Sequence, residues 1–399
     1  MSACLSPLNP CCISMPDGLT HLTLITDGMW PLVTGGMQTH SFYLCKYLAS
    51  LGVRVRVYHP GLESGNSIKS EFSTEQWQHM EWIGIHVFKK NNLPGAYLFK
   101  NYLYSRAVNK HLKNDPPKTA CIYAKGLTAW ALTRPWAAPL LINIHGYEMF
   151  QQAPDFKHAV RNQLLLKPLF KYVLKKNTAL ISYGPCITNI IHTHFGTGQS
   201  CIELAAAIPK SEIRNEITKV ESIRRIVFLG RFEKRKGLQH LFKCIKQYQN
   251  TPQISNIEFH IIGPIPESQR FKHKQIHYHG LQIKREALFA LLDQMDALLC
   301  PSISEGMPNV ILEAMARGLC IITTAVGSIP DMLNHHEAIW ITRCNANGIM
   351  EALTQFSDCT ADQLMQYKSM ALNAVSRRFT WEHRIIETQK KLLTLPNYV

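Results

Sequence analysis

The chain of 399 residues is too long for one ordinary domain and suits two domains of similar size. Its apolar share of 46% is that of a globular protein, and no apolar run approaches the roughly 20 residues that a membrane-spanning helix needs. The net charge is +15, of which residues 1–200 carry +10 and residues 201–399 carry +5. Such an excess favours an anionic partner, namely nucleic acid, acidic lipid or a phosphorylated substrate.

The first 20 residues are predicted to form a flexible leader. They have neither the basic start nor the apolar centre of a signal peptide, so we expect a cytoplasmic protein. Cys4, Cys11 and Cys12 lie in this leader; acylation is conceivable there, but a disordered tail is the better interpretation. The chain has twelve cysteines and no Cys-x-x-Cys, which indicates free thiols in a reducing compartment.

Strand and helix signals alternate through the first half. A buried strand at residues 22–26 leads into a loop that contains Gly35 and Gly36, and an amphipathic helix follows over residues 37–51. Further strands are predicted at residues 53–58, 83–88, 121–124, 140–145 and 179–182. The alternation predicts a doubly wound parallel sheet, in which ligands bind beyond the carboxyl ends of the strands. His145 lies at such an end.

Two segments of the first half mix basic with apolar side chains. Residues 89–118 interleave lysines and an arginine with tyrosines and leucines, and in residues 157–176 three lysines recur every fourth position. Such segments can rest on an anionic bilayer, although a solvated face with an ordinary core behind it is an equally good interpretation. Pro168 predicts that the second segment consists of two shorter helices.

A polar interval over residues 210–222 is predicted to separate the halves. The second half restarts with a strand at residues 226–229, a loop over residues 230–237 and a helix over residues 238–248. Arg231 and Lys236 flank this loop, where a diphosphate would meet two cations and a helix N-terminus. Five more strands are predicted at residues 257–262, 276–279, 297–300, 320–324 and 338–341.

The stretch from Pro301 to Glu313 ends one of these strands and opens a helix predicted over residues 309–317. Glu305 then lies on the loop and Glu313 lies about one turn inside the helix. Both carboxylates can face one crevice beside amides that have no helical partner, which is a geometry suited to a polyhydroxy, phosphate-bearing ligand.

The spacing Glu-x7-Glu, with Gly-x-Pro inside it, resembles the signature of retaining family 4 glycosyltransferases with the GT-B fold. The loop Gly-Arg-x4-Lys-Gly at residues 230–237, the glycine pair at residues 35–36 and Val-Gly-Ser-Ile-Pro-Asp at residues 326–331 are similar to other motifs of that family. The resemblance implies an α/β chain of two Rossmann-like domains facing across a cleft. It implies an acceptor-side domain over residues 21–210, a nucleotide-sugar domain over residues 211–375 and a final helix over residues 376–399 that returns to the first domain.

The resemblance also implies roles for individual residues. Arg231 and Lys236 would neutralise the leaving diphosphate, Glu305 would hold the sugar hydroxyls, and His145 would face the reacting centre. The remaining expected donor-binding residues are Gly35, Gly36, Leu281, Gly306, Met307, Pro308, Asn309, Val310 and Glu313.

The predicted function is a retaining transfer of a hexosyl or related sugar from a nucleoside-diphosphate donor to a hydroxyl acceptor, either a cell-envelope glycan or a lipid-linked acceptor. We expect no cofactor and no nucleic-acid partner, and an anionic membrane surface as a further partner of a peripheral protein. Asp-x-Asp does not occur, which favours metal-independent chemistry. His277 and His279 have no third ligand at a zinc-like spacing along the chain, so no metal site is expected. The alternatives are a sugar-nucleotide epimerase on a related fold and a non-enzymatic binder of an anionic polymer or nucleic acid.

Overall fold

The computed structural model describes residues 19–61, 65–86, 95–116, 118–133, 138–176, 178–218 and 223–395. Most of the leader, with Cys4, Cys11 and Cys12, lies outside these ranges, as do Lys89 and Lys90 of the first basic segment and part of the interval over residues 210–222.

Two parallel sheets organise the described residues, and each belongs to one lobe. The strands of the first sheet have the spatial order β3-β2-β1-β4-β5-β6-β7, and those of the second have the order β10-β9-β8-β11-β12-β13. The first-lobe strands are β1 (His21–Ile25), β2 (Arg54–Pro60), β3 (Met80–Ile85), β4 (Cys121–Lys125), β5 (Leu140–Asn143), β6 (Ala179–Ser182) and β7 (Cys201–Glu203). The second-lobe strands are β8 (Arg224–Leu229), β9 (Ile257–Ile262), β10 (Ile276–Gly280), β11 (Ala297–Cys300), β12 (Cys320–Thr324) and β13 (Ile339–Ile341).

Helices cover both faces of each sheet, as parallel strands require. Those of the first lobe are α1 (Gly36–Ser50), α2 (Asn66–Lys69), α3 (Thr74–Gln78), α4 (Ala96–Asn114), α5 (Phe156–Arg161), α6 (Lys167–Leu174) and α7 (Pro185–Phe195). Those that follow β8 are α8 (Leu238–Tyr248), α9 (Pro252–Ser255), α10 (Arg285–Leu292), α11 (Asn309–Ala316), α12 (Ile329–Met332), α13 (Ala346–Asp358), α14 (Ala361–Arg378) and α15 (Trp381–Leu393). The predicted pair of doubly wound parallel sheets is therefore confirmed.

The strand order reverses once in each sheet, between β1 and β4 in the first and between β8 and β11 in the second. At such a reversal the loops at the carboxyl ends of the two strands diverge and leave a crevice. The loops after β1 and β8 contain the glycine pair and the Arg231–Lys236 segment, and the loop after β11 contains Glu305. The topology thus places the predicted motifs at the two crevices.

Helix α15 packs on the first lobe although it follows the last strand of the second. Trp381 is buried in the core of the first lobe, where its ring stacks on Tyr47 with a centroid distance of 5.7 Å. Ile208 and Thr380 form a parallel bridge, with the Trp381 N–H donating to the carbonyl of Ile208 at 3.0 Å. The end of the chain therefore packs back on the first lobe.

The second basic segment contains the two short helices α5 and α6, but no break separates them. Residues 156–174 are helical without interruption, and Asn162–Leu166 between α5 and α6 forms a π-helical turn. Pro168 lies in the first turn of α6, after this widened turn. A proline is tolerated there because the local bonding pattern has already changed, so the prediction of a break was wrong.

Candidate active site

Glu305 is the centre of a buried ion-pair cluster in the loop after β11. The residue is 4% exposed, and its carboxylate accepts hydrogen bonds from Lys236 Nζ at 2.5 Å, Ser302 Oγ at 2.7 Å and Arg235 Nη1 at 3.3 Å. Burial opposes ionisation of Glu305, but the charges of Lys236 and Arg235 and the hydrogen bonds hold its pKa below the usual range. The cluster is therefore a fixed carboxylate with two neighbouring cations.

Arg231 does not touch Glu305, although the sequence grouped it with Lys236. Its guanidinium is 66% exposed and pairs with Glu233 at 2.9 Å, and Glu233 in turn pairs with Arg235 at 2.9 Å. Arg235, which the sequence analysis did not single out, contacts Glu305 instead. Arg231 remains available to a ligand at the mouth of the crevice.

Glu313 lies in a second ion-pair network. Arg285 donates to Glu313 at 3.1 Å and makes a bidentate pair with Glu212, whose oxygens lie 2.6 and 2.5 Å away. Tyr43 of α1 also donates to Glu212, at 2.7 Å. Burial raises the pKa of Glu313 and the charge of Arg285 only partly opposes this rise. Glu305 and Glu313 thus both form ion pairs, but their cationic partners are different residues.

The segment that follows Glu305 packs directly against the first lobe. A Cβ atom on Gly306 would lie 1.8 Å from the carbonyl oxygen of His145, so only glycine fits without moving the backbone. Gln151 fixes the same segment, because its Nε2 donates to the carbonyl of Glu305 at 2.5 Å. Asn309, at the start of α11, donates to the carbonyl of Gly36 at 3.2 Å. These contacts bring the predicted glycine pair, His145 and the Glu305 loop to one cleft.

Several amides in this cleft have no acceptor. Within the described residues, no hydrogen bond is formed by the backbone N–H groups of Gly306, Met307, Asn309 and Val310. The last two belong to the first turn of α11, where helical partners are absent by geometry. Such N–H groups are suited to binding phosphate oxygens.

Not every predicted binding residue presents its side chain to this cleft. Met307 is buried, and its Sδ accepts from the N–H of Ala206 at 3.1 Å. Pro308 precedes the first residue of α11, and its side chain is buried too. Leu281 is 47% exposed and follows Gly280 at the end of β10.

The His145 ring is held from both sides by groups that sequence reasoning missed. Lys125 Nζ lies 3.1 Å from His145 Nε2 and 2.8 Å from His40 Nδ1, and Tyr183 Oη bonds to His145 Nδ1. When Lys125 is protonated it can only donate, and both ring nitrogens that face it are then unprotonated. The backbone of His145 is in the left-handed region, with φ 64°. With both ring nitrogens engaged, the group that His145 offers to Gly306 is its main-chain carbonyl.

Lys125 itself is fully buried at the end of β4. Burial lowers its pKa from 10.5 to about 7, against the opposing charges of Asp27 and Cys45. Burial and the charge of Lys125 also hold the pKa values of His40 and His145 well below the usual range. The two imidazoles are therefore neutral near pH 7, where Lys125 itself changes between its charged and neutral forms. The only sequence signal of this cluster was a lysine at the end of an apolar strand.

Spacing along the chain gave His277 and His279 no third ligand, but the fold brings further candidate side chains close to them. Strand pairing places Glu258 and His260 of β9 beside them, a juxtaposition that spacing along the chain could not reveal.

An exposed face of the first lobe combines apolar and basic side chains. Phe99 of α4 is 64% exposed, and Phe156 and Leu164 of the 156–174 helical run are 85% and 76% exposed. Trp130 connects the two helical segments, because its ring meets Tyr102 at a centroid distance of 5.4 Å and its carbonyl accepts from Lys176 Nζ at 2.5 Å. No helix among the described residues is long and apolar enough to cross a bilayer.

Comparison with known proteins adds a family match for the second lobe. Residues 223–358 match the family described as glycosyl transferases group 1. The Bacillus subtilis (strain 168) protein TuaC, named as a teichuronic acid biosynthesis glycosyltransferase, is 29% identical over 147 residues. That alignment covers 37% of this chain and 36% of TuaC, so the match spans about a third of this relative.

Solved structures match nearly the whole chain. Sucrose-phosphate synthase from Thermosynechococcus elongatus superposes with a TM-score of 0.75 at 17% identity, covering 93% of this chain and 98% of that one. Anabaena Alr3699/HepE, solved in complex with UDP and glucose, superposes with a TM-score of 0.64 at 12% identity, covering 94% and 100%. The two-lobed GT-B fold that the motifs implied is therefore confirmed.

Proposed function

We propose that this protein is a retaining, metal-independent glycosyltransferase that moves a sugar from a nucleoside-diphosphate donor to a hydroxyl group of a cell-envelope glycan or lipid-linked acceptor. The observation that carries the proposal is the buried Glu305 carboxylate, joined to Lys236 and Arg235 at the crevice of the second sheet and covered by the His145 loop. The group 1 match over the same lobe and the naming of TuaC support transferase chemistry and an envelope glycan.

The diphosphate would lie between the two cationic residues and the open amides. Lys236 and Arg235 supply positive charge from the loop after β8, and Arg231 adds a third cation at the mouth. The open N–H groups on either side of Pro308 would face the phosphate oxygens. This charge stabilises the leaving group in the manner that a divalent ion would otherwise provide. The complex of HepE with UDP and glucose supports a nucleotide-sugar donor on this fold.

The carboxylates and the glycine pair would position the rest of the donor. Arg285 contacts Oε1 of Glu313. The other carboxylate oxygen would accept hydrogen bonds from the ribose hydroxyls. Glu305 accepts from the sugar hydroxyls while Lys236 holds it in place. Gly35 and Gly36 lie beside Asn309 and allow close approach of backbone to donor and acceptor. Leu281, after β10, would border the nucleobase.

In the proposed reaction, the bond between the anomeric carbon and the diphosphate oxygen breaks, and its electron pair leaves with the diphosphate. The acceptor oxygen bonds to the anomeric carbon on the same face, and its proton passes to an oxygen of the leaving phosphate. Retention is supported by the family resemblance. The His145 carbonyl, fixed by the ring contacts to Lys125 and Tyr183, would lie beside the positive charge that develops on the sugar.

The exposed apolar and basic face of α4 and residues 156–174 would rest on the cytoplasmic side of an anionic membrane, where a lipid-linked acceptor is presented. Flotation with acidic and neutral liposomes tests this part. The double variant Phe99→Gln, Leu164→Gln should lose binding to acidic vesicles, whereas Ile283→Gln, at an exposed apolar site on the other lobe, should not. No binding of the unaltered protein to acidic vesicles at low salt would refute the membrane role.

Donor class can be identified by thermal shift with UDP-, GDP- and ADP-sugars. A donor at 100 times its dissociation constant stabilises the folded protein by about 2.7 kcal/mol. Product analysis with the stabilising donor then tests the activity itself, and conversion of the donor sugar without an acceptor would indicate an epimerase.

Variants of the Lys236–Glu305 ion pair test whether the transferase activity depends on this site. Glu305→Gln or Lys236→Ala should abolish transfer, whereas the exposed sites Glu351→Gln and Lys246→Ala serve as matched controls and should retain it. Near-normal turnover in either site variant would show that the assignment is wrong.

A further inference from the structure

Strands β9 and β10 bring three metal-ligating side chains to one face of the second sheet. His277 pairs directly with His260 in the strand register, and Glu258 lies two residues before His260, so all three project from the same face. One donor atom from each residue lies within 4.8 Å of the other two. Strand β10 is the edge strand of its sheet, which leaves the cluster accessible from solvent.

His260 is held in an orientation that suits a metal ligand. Its Nδ1 lies 2.9 Å from Nε2 of His279, whereas its Nε2 is buried and has no hydrogen-bond partner in the part of the chain that the structure describes. That Nε2 is directed toward Glu258, whose Oε2 is 3.7 Å away. If His260 Nδ1 donates to His279, the lone pair of Nε2 is left facing Glu258 and His277. A hydrogen bond to the distal nitrogen is the usual way in which proteins orient a ligating histidine.

The charge and the donor types of the cluster also fit a metal site. Arg225 Nε lies 3.3 Å from Glu258 Oε2 and balances the charge of the carboxylate. Two imidazoles and a carboxylate are a donor set typical of zinc and of cobalt or nickel.

We propose that Glu258, His260 and His277 form a binding site for a divalent transition metal, with His279 as the positioning residue for His260. Donors around one tetrahedral zinc ion are about 3.3 Å apart, so the three side chains need to close by about 1.5 Å at most. His277 lies on the edge strand and is only partly buried, which allows that adjustment.

A metal at this position would connect the edge strand to its neighbour. The N–H of Gly263, after β9, donates to the carbonyl of Gly280 at 2.8 Å, and Leu281 follows directly. The ion would therefore stabilise the turn that we assign to the nucleobase, without touching the Glu305 cluster. The site does not depend on the proposed transferase activity.

Zinc binding to the full chain tests this proposal. Protein is dialysed against Zn²⁺, the bound metal is counted by elemental analysis, and Co²⁺ absorbance reports the coordination geometry. The double variant His260→Ala, His277→Ala should lose one equivalent of zinc relative to the unaltered protein. The matched double variant His335→Ala, His336→Ala, which removes a histidine pair from another surface, should bind as much as the unaltered protein.

Two further variants remain informative if the double variant fails to fold. Glu258→Gln should lose the same equivalent, and His279→Ala should weaken binding by about 10- to 100-fold without changing the stoichiometry. Equal zinc content in the unaltered protein and Glu258→Gln, or the absence of a tetrahedral Co²⁺ spectrum in the unaltered protein, would overturn the proposal.

Discussion

Lys125→Met is the substitution whose effect can be derived most fully from the structure. The ammonium group is fully buried between His40 and His145, and burial lowers its pKa from 10.5 to about 7. Each pKa unit corresponds to about 1.4 kcal/mol, so the difference between the folded and unfolded protein amounts to about 5 kcal/mol as an upper bound. Methionine has a similar length and carries no charge into the core.

The direction in which stability changes with pH follows from proton binding to Lys125. Between about pH 7 and 10.5 the unfolded chain holds a proton on Lys125 that the folded protein has released. The free energy of unfolding of the unaltered protein therefore rises with pH across this window. Below about pH 7 both states are protonated and the folded protein carries the full cost of a buried ammonium. Lys125→Met should remove this pH dependence.

Urea denaturation at pH 6, 7, 8, 9 and 10 measures the effect. The stability of the unaltered protein relative to Lys125→Met should rise by about 2–5 kcal/mol from pH 6 to pH 10. The exposed control Lys246→Met should show no such trend. A stability difference between the unaltered protein and Lys125→Met that is independent of pH would refute the reasoning.

Other substitutions test the remaining contacts. Gly306→Ala should reduce transfer by about 100-fold or more, because the added Cβ would lie 1.8 Å from the His145 carbonyl oxygen and would shift the loop by about an ångström. Steady-state kinetics measures this effect, and an unchanged rate would contradict it. Arg235→Ala should destabilise the fold by about 1–3 kcal/mol in urea denaturation, since it removes a partner of the buried Glu305. Arg231→Ala should change stability by less than about 0.5 kcal/mol but raise the KM for the donor, because its guanidinium is exposed. If Arg231→Ala proves as destabilising as Arg235→Ala, the assignment of inner and outer cations is wrong.

Much of the fold could be predicted from the sequence because most strands are uninterrupted apolar runs. The strand bounds at residues 179–182, 257–262, 297–300 and 320–324 agree with the predictions. Strand β7 was missed because it has only three residues, all partly exposed, and so gives no apolar run. The helical run over residues 156–174 was divided in error because a π-helical turn has no signature in hydrophobic periodicity.

Part of the site could also be predicted from the sequence. Motifs that lie within one loop, such as residues 230–237 and 301–313, could be interpreted from their order along the chain. Partnerships between distant segments could not. Nothing near Lys125 in the sequence indicates that His40 and His145 will face it, and nothing near Arg235 distinguishes it from Arg231. The roles of the remaining donor-binding residues stay predictions.

The central claim is that Lys236 and its neighbours bind the diphosphate of a nucleotide-sugar donor. Calorimetric titration of the unaltered protein, Lys236→Ala and Lys246→Ala with the preferred nucleoside diphosphate, and with the nucleoside alone, tests it most directly. We predict that Lys236→Ala weakens diphosphate binding by at least tenfold, equivalent to about 1.4 kcal/mol, with unchanged nucleoside binding and no effect of Lys246→Ala. Equal diphosphate affinity in all three proteins would contradict the account.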